Sequence, residues 1–252
     1  GWYVPDRIPL PGGELIESYL KSLGVKLQMC ARQAVADASP AVLEYSTARC
    51  GMAADRNCWD DDRKIHVCGY NPGVPSPDVV TVARISRPEG ALRGSIVHYA
   101  CHPTTLGWES SVISPDFIGT LREVVEKQTG ATCVYFQGAS GDLGPRDGFV
   151  GDLAVADRNG RAVGFAALSA LELLGPPETS FEYAGPVVSG ATLGAWKHVG
   201  LTEAERKSSS ELGGGPISVN LPKRTDLDAT QLVAEQSKQL AEAQAAEAAG
   251  DP

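Results

Sequence analysis

Three polar, glycine-rich segments between residues 98 and 145 constrain the fold of this chain more than any other feature. Residues 98–107 (HYACHPTTLG) run from an apolar, strand-like stretch into a turn that carries His102. Residues 113–119 (ISPDFIG) are typical of a helix start, and residues 134–145 (VYFQGASGDLGP) run from a strand into a glycine-rich loop. Loops held by a rigid scaffold commonly carry binding and catalytic residues. The three segments therefore predict one wall of a functional site.

The order of predicted helices and strands indicates an α/β fold. The spacing of apolar residues predicts helices over 14–23, 25–38, 114–130, 153–174 and 228–249. Alternating or continuous apolar runs predict strands over 42–48, 78–85, 94–101, 132–137, 179–191 and 217–221, and residues 49–77 are predicted to be a long irregular segment. Because helices and strands do not alternate strictly, we expect mixed β-sheet layers flanked by helices.

The length and composition suffice for one sizeable core. The chain has 252 residues, of which 42% are hydrophobic. We expect residues 1–225 to form the main portion of the fold. Residues 226–252 are rich in Ala and Glu and predict a separate C-terminal helix that acts as a surface helix, a spacer or an oligomer contact.

The charge balance argues against two classes of partner. The formal net charge is −9, whereas nucleic acids and anionic membranes are bound by clustered Lys and Arg. No apolar run approaches the roughly 20 residues of a membrane-spanning helix, and no signal peptide is visible. The sequence therefore predicts no nucleic-acid partner and no transmembrane segment.

The cysteines and the acidic run Asp60-Asp61-Asp62 carry weaker signals. The six cysteines form no CxxC motif. Cys101 and Cys133 lie in apolar runs and are predicted to be buried thiols, whereas a disulfide among Cys50, Cys58 and Cys68 is left open. The acidic run is interpreted as a solvated surface, with calcium binding as the alternative.

His102 is the best candidate metal ligand. A neutral imidazole at the end of a strand, held by the turn at Pro103, suits zinc. The alternative is a histidine that only makes a hydrogen bond within the turn. His98 is predicted to lie on the same strand face as His102, because side chains alternate with a period of two, and a two-histidine pair on the strand is one interpretation. Packing against the strand is the simpler role for His98.

The other candidate residues have both structural and functional interpretations. Asp116 complements the dipole of a helix start, and Ser114 is predicted to be its N-cap. In residues 138–144 (GASGDLG), small residues allow backbone N–H groups to approach a ligand closely. There, Ser140 is a candidate nucleophile and Asp142 a candidate base or anchor. The alternative is a tight turn that Asp142 caps.

The same three segments resemble the neutral/alkaline non-lysosomal ceramidase family. The resemblance rests on residues 99–107 (YACHPTTLG), 113–119 (ISPDFIG) and 136–145 (FQGASGDLGP), in that order, and it extends over residues 10–225. It is closest to the bacterial ceramidase-like proteins of unassigned substrate. A ceramidase N-terminal-domain-like fold is what this resemblance implies.

The resemblance implies a zinc-dependent amidase in which His102 is a zinc ligand and Asp116 lines the site. The family's Gly-Asp-x-Ser-Pro motif places a serine beside the zinc, but this chain has Gly144 there, in residues 141–145 (GDLGP). Ser140 or a zinc-bound water is then the expected substitute. The implied substrate is a small-molecule or lipid-like amide, and the family favours a secreted or periplasmic location.

The remaining zinc ligands that the family implies are expected outside this chain. A His-Thr-His motif is expected upstream of residue 1, and Glu and Tyr ligands downstream of residue 252. The resemblance thus implies an internal part of a larger domain, associated with flanking polypeptide of the same protein, or a divergent, truncated relative. A single ligand should bind zinc poorly.

Three functions follow as hypotheses. The leading one is a zinc-dependent hydrolase that cleaves an amide or related bond, with His102, Asp116, Ser140, Asp142 and Gly144 at its site. The alternative is a non-catalytic binding or scaffold module that keeps the fold without the serine and the full ligand set. A metal-independent serine hydrolase that uses Ser140 is the third, although no Gly-x-Ser-x-Gly motif is present.

Overall fold

The centre of the fold is a four-stranded mixed sheet with two helices packed against one face. The computed structural model describes residues 10–211, 213–221 and 228–249. The strands are β1 (Val42–Arg49), β2 (Ala53–Asp55), β3 (Asn57–Asp60), β4 (Ile65–Cys68), β5 (Val79–Ser86), β6 (Leu92–Tyr99), β7 (Thr132–Gln137), β8 (Leu143–Pro145), β9 (Thr179–Ser189) and β10 (Ala191–Gly200). The helices are α1 (Ile16–Ala36), α2 (Phe117–Thr129), α3 (Leu153–Glu172), α4 (Glu203–Ser210) and α5 (Ala229–Ala249). The predicted α/β class is confirmed.

The main sheet combines antiparallel and parallel pairing in the order β1-β5-β6-β7. Strands β1, β5 and β6 are antiparallel neighbours, so that Tyr45 lies opposite Ala83 and Ala83 opposite Ile96. Strands β6 and β7 are parallel, with Tyr99 opposite Gln137 at their carboxyl ends. Three two-stranded sheets join β2 to β8, β3 to β4 and β9 to β10. The parallel pair matters for function because it brings the loops after β6 and β7 to one edge.

Helices α2 and α3 cover the inner face of the sheet and pack closely against each other. The buried core combines inward residues of the sheet with one face of each helix: Val80, Val82, Val97, Tyr99, Phe117, Leu121, Val125, Val163, Ala167 and Ala170. Gly160 allows the helices to approach, because a Cβ atom there would lie 2.4 Å from the Phe117 carbonyl oxygen. The absence of a side chain at this position therefore sets the distance between the two helices.

Tyr99 connects the sheet core to the segment that follows β1. Its hydroxyl donates to the Cys50 carbonyl oxygen at 2.6 Å and accepts from the Ala53 N–H at 2.8 Å. The side chain is fully buried. One backbone group directly after β1 and one at the start of β2 thus share Tyr99 as hydrogen-bonding partner, which positions the β2–β8 pair beside the end of β6.

The cysteines are all free thiols in the structure. Cys101 and Cys133 are fully buried, which confirms the predicted buried thiols. Cys50, Cys58 and Cys68 form no disulfide.

Buried acidic groups make the fold sensitive to alkali. Burial raises the pKa of the thiols of Cys50, Cys101 and Cys133 above the ordinary value of 9.0. Burial likewise raises the pKa of Tyr99 and Tyr135 above 10.0. These groups stay protonated in the folded chain while they ionise in the unfolded chain. The folded chain then binds more protons, so its stability is complete below the unfolded pKa values and is lost as pH rises through them.

We expect the free energy of unfolding to fall between pH 8 and pH 10.5, by about 1.4 kcal/mol per pH unit for each buried group that ionises on unfolding. Urea denaturation at the two pH values measures it. Cys133→Val is the matched variant, since it keeps an apolar side chain of similar size without an ionisable proton. It should lose less stability over the same interval. Equal stability of the wild-type chain at both pH values would contradict the prediction.

Several predicted elements differ from the structure. The predicted helices 14–23 and 25–38 form one continuous helix, α1, because a helical glycine such as Gly24 costs only about 1 kcal/mol. Helix α2 begins at Phe117 with Asp116 as its N-cap, so the prediction of Ser114 as the N-cap was wrong. The segment 49–77 is not irregular throughout, since it contains β2, β3 and β4.

The carboxyl-terminal part also differs. Strand β9 corresponds to the predicted strand 179–191, but the following strand β10 was not predicted. Residues 203–210 form α4, and residues 217–221 form no strand. The chain divides after Glu203 into two compact units. The predicted boundary at 225–226 stays a prediction and lies among residues outside the described ranges. No helix in the described part of the chain is long and apolar enough to cross a membrane.

Candidate functional site

The loops after β6 and β7 meet at one edge of the sheet, as the three sequence segments predict. Gly138, directly after β7, donates its N–H to the Tyr99 carbonyl oxygen at 3.0 Å. His102 donates its backbone N–H to the Leu143 carbonyl oxygen at 3.1 Å. Because the two strands are parallel, their carboxyl ends lie side by side. The loop that carries His102 and the glycine-rich loop therefore form one cluster.

His102 has an unused hydrogen-bonding atom in the interior of this cluster. Its Nδ1 is buried and has no hydrogen-bond partner, and the same holds for Thr104 Oγ1, two residues further along the loop. A buried polar atom without a partner costs about 1–3 kcal/mol. Such atoms mark a place where a ligand or a metal ion would complete the hydrogen bonding or coordination. His102 is thus placed as a candidate ligand, with Thr104 beside it.

Gly144 lies next to Thr104 and Arg56. It is buried in β8, opposite Ala54 of β2. A Cβ atom at Gly144 would lie 3.5 Å from Thr104 Oγ1 and 3.6 Å from Arg56 Cδ, which is ordinary contact. The site therefore has room for a small side chain at this position.

Arg56 forms hydrogen bonds that hold the glycine-rich loop in place. Its guanidinium donates to the Gly141 carbonyl oxygen through Nη2 at 3.0 Å and Nε at 3.2 Å, and its backbone N–H donates to the Asp142 carbonyl oxygen at 2.9 Å. Strand β2 thus holds residues 141–144 against the end of β6. No local sequence pattern marks Arg56 or Thr104 as a site residue, and only the long-range pairing of β2 with β8 places Arg56 here.

Asp116 anchors the His102 loop to the start of α2. One carboxylate oxygen accepts from the Phe117 N–H at 2.7 Å and the other from the Leu106 N–H at 3.0 Å. Its own N–H donates to Ser114 Oγ at 3.1 Å. These bonds hold Asp116 at φ 55° and ψ −145°, a conformation that non-glycine residues rarely adopt. Asp116 therefore positions the loop that contains His102 and Thr104.

The two other predicted residues of the glycine-rich loop have different environments. Ser140 is buried, and its Oγ accepts from Gln137 Nε2 at 2.7 Å. The Ser140 carbonyl oxygen accepts from the Leu143 N–H at 3.2 Å, which closes the turn. Asp142 is exposed. The Ser140 hydroxyl proton remains free to be donated to a ligand, whereas Asp142 offers its carboxylate at the surface.

The electrostatics of the cluster keep its cysteine neutral. Burial is the largest cause that raises the pKa of Cys101, and the negative charge of Asp116 raises it further. The positive charge of Arg56 acts in the opposite direction but is a smaller cause. Cys101 thus remains a thiol at neutral pH and is unsuited to act as a thiolate nucleophile.

A cleft of about 430 Å³ opens beside the His102 loop. It shares Thr104 with that loop, and its other lining residues include Leu106, Trp108, Val112, Asp116 and Phe149. Trp108 stacks on Phe149 with ring centroids 5.9 Å apart. Gly107 (φ 62°) makes this possible, since a Cβ there would lie 3.1 Å from Phe149 Cα. One side of the cleft is thus formed by the aromatic rings of Trp108 and Phe149 and is available for contact with a bound molecule.

The other three histidines do not complete a metal site with His102. Strand β6 ends at Tyr99, so the alternation that would pair His98 with His102 does not continue to residue 102. His66 packs its ring against Trp59, and His198 contacts Phe181. In the acidic run, Asp60 forms an ion pair with Arg63 and Asp61 with Lys64. These exposed pairs agree with the interpretation of a solvated surface.

The described residues contain one candidate zinc ligand, His102, and no complete zinc site. Zinc in proteins is held by three or four side chains. Within the described ranges, no group of three His, Cys, Asp or Glu residues is arranged to hold a metal ion. His102 fits a ligand position because its Nδ1 is free, whereas both Asp116 oxygens already accept backbone N–H groups. The roles of His102, Asp116, Ser140, Asp142 and Gly144 stay predictions.

Comparisons with known proteins give a distant structural likeness. No family model matches the chain, and no curated protein matches it. A structure described as ceramidase complexed with C2 is 17% identical at a TM-score of 0.44, over 57% of this chain and 25% of that chain. Neutral ceramidase from Pseudomonas aeruginosa is 17% identical at a TM-score of 0.46, over 61% of this chain and 27% of that chain. The chain spans about a quarter of these structures, and the likeness concerns part of a fold.

Proposed function

We propose that the cluster at the ends of β6 and β7 is part of the reaction centre of a ceramidase-like hydrolase that cleaves an amide or related bond. The observation that carries the proposal is the buried Nδ1 of His102, which has no hydrogen-bond partner and belongs to the loop that is bonded to Leu143. The order of the three sequence motifs supports the same class. His102 is proposed as one ligand of a zinc ion, whose other ligands the described residues do not supply. When bound, zinc polarises a carbonyl group or activates water.

The residues of this chain are assigned positioning and binding roles. Asp116 fixes the loop of residues 102–106 through the Leu106 N–H. Arg56 holds the carbonyl oxygens of Gly141 and Asp142, the two residues between Ser140 and Leu143 in the glycine-rich loop. We propose that the Ser140 hydroxyl donates a hydrogen bond to the reacting group and keeps its proton, and that Asp142 contacts the leaving part of the substrate from the surface. The substrate is a small-molecule or lipid-like amide.

The test measures hydrolysis of a panel of N-acyl amides and esters by the native full-length protein, with and without a chelator, together with its zinc content. We expect turnover that the chelator abolishes and about one zinc per chain. Gly144→Ser is the informative variant, because its Cβ would make only ordinary contacts with Thr104 and Arg56. We expect it to raise turnover, since it supplies a hydroxyl where the family motif has one. Turnover that persists in the chelator would contradict the zinc assignment.

A non-catalytic binding module is the second candidate function. One observation favours it: within the described ranges no set of three metal-ligating side chains comes together, and Gly144 replaces the motif serine. This candidate predicts a native protein with no zinc and no turnover on any amide or ester of the panel. Binding of a substrate analogue in the cleft beside Trp108, without hydrolysis, would support it.

A further inference from the structure

The hairpin formed by β9 and β10 has an unusual distribution of side chains along its length. Residues 183–196 contain no Asp, Glu, Lys or Arg. The end of the hairpin is apolar and exposed, with Val187 at 51%, Val188 at 79% and Leu193 at 54% of full exposure. Large contiguous apolar patches on soluble proteins commonly mark binding sites, whereas singly scattered apolar residues do not. The hairpin end is therefore a candidate contact surface.

Aromatic residues lie where the apolar end meets the charged base. Tyr183 lies directly opposite Trp196, and their rings contact edge to face at 5.7 Å. Phe181 stacks on Trp196 at 5.7 Å from the next position on the same face. All three rings are more than half exposed. Trp and Tyr have apolar rings with one polar atom, and they concentrate where an apolar phase meets water.

Charged residues begin immediately beyond the aromatic pair. Glu182 lies opposite Lys197, one step from Tyr183 and Trp196 toward the base of the hairpin. The order along the hairpin is thus an apolar end, the Tyr183–Trp196 pair and the Glu182–Lys197 pair, with Phe181 one residue further toward the base. A lipid bilayer has the same order from acyl chains to headgroups to water. A protein partner would not require the three zones to follow one another along a single hairpin.

We propose that the end of the β9–β10 hairpin, residues 183–196, binds the surface of a lipid bilayer. The net charge of −9 disfavours anionic lipids, so the surface has zwitterionic headgroups. Both strands are edges of a two-stranded sheet, and unpaired backbone groups are costly in hydrocarbon. The hairpin therefore lies in the interfacial layer and does not enter the bilayer core. This inference does not depend on the proposed hydrolase.

Sedimentation with phosphatidylcholine vesicles tests the proposal on the whole chain. Val187→Glu/Val188→Glu should lower the partition coefficient by at least about tenfold, because charges replace two valines that contact the lipid in the bound state. Leu232→Glu/Val233→Glu in α5 is the matched control, since it replaces an adjacent exposed apolar pair and changes the charge equally. It should sediment like the wild type. Circular dichroism verifies that both variants fold.

A second measurement locates the contact. Brominated phosphatidylcholine should quench the tryptophan fluorescence of the wild type, and the quenching should be lost in Trp196→Phe and kept in Trp59→Phe. No vesicle binding, equal binding of the two double variants, or quenching kept in Trp196→Phe would each overturn the proposal. A lipid-free dimer that Val187→Glu/Val188→Glu converts to monomers would also overturn it, because the hairpin end would then bind a second copy of the chain.

Discussion

His102→Ala should abolish zinc binding by the native full-length protein and lower its amide hydrolysis by at least about a hundredfold. Loss of a metal ligand reduces activity more than loss of a hydrogen bond that supports a ligand. The physical reason is the buried, unpartnered Nδ1 of His102, which lies in the loop that meets the glycine-rich loop. Metal analysis and turnover on the same preparation measure the two effects. His66→Ala removes an exposed histidine that packs on Trp59 and should change neither.

Two further substitutions of His102 distinguish a zinc ligand from a histidine that has only a structural role. His102→Asp supplies another zinc ligand and should retain part of the metal, whereas His102→Asn supplies a poor ligand and should lose it. Folding stability should change little in both variants, because the Nδ1 makes no hydrogen bond that the substitution could break. Full zinc content in His102→Ala, or a large loss of stability without loss of zinc, would show that His102 has only a structural role.

Gly160→Ala should destabilise the chain by about 3 kcal/mol, or roughly 6–12 °C in Tm, because overpacking a tight interface forces backbone shifts. The added Cβ would lie 2.4 Å from the Phe117 carbonyl oxygen and 2.8 Å from Thr120 Cβ. A backbone atom cannot move aside as a flexible side chain can. Helices α2 and α3 would have to separate, and α2 begins beside Asp116, which fixes the candidate site.

Gly24→Ala is the matched control for this prediction. Gly24 also lies inside a helix, but nothing lies within 4 Å of the Cβ position. Alanine there should leave stability unchanged or raise it by up to about 1 kcal/mol, the difference in helix propensity. Urea denaturation of both variants gives the comparison. Equal stability of Gly160→Ala and the wild type would contradict the close packing of α2 on α3.

Part of the candidate site could be predicted from the sequence, and part could not. The loop after β6 and the loop after β7 were predicted from apolar runs that end in Gly, Pro and polar residues, and the parallel pairing brings them together. Local sequence patterns do not indicate that Arg56 lies at the site. Its position depends on the pairing of β2 with β8, a strand about 90 residues later in the chain. Those patterns also placed the helix cap at Ser114, whereas Asp116 takes that position because its carboxylate bonds both Phe117 and Leu106.

Sequence patterns by themselves determined the long helices, the strands of the main sheet and the position of the site loops. Each depends on neighbours a few residues apart, since helix and strand periodicity and turn residues act locally. Only the tertiary structure decided that β2 pairs with β8, that β10 completes a hairpin and that Gly160 sets the approach of α2 to α3. These contacts join distant segments, and many partners satisfy the same local pattern, so packing of the whole chain selects among them.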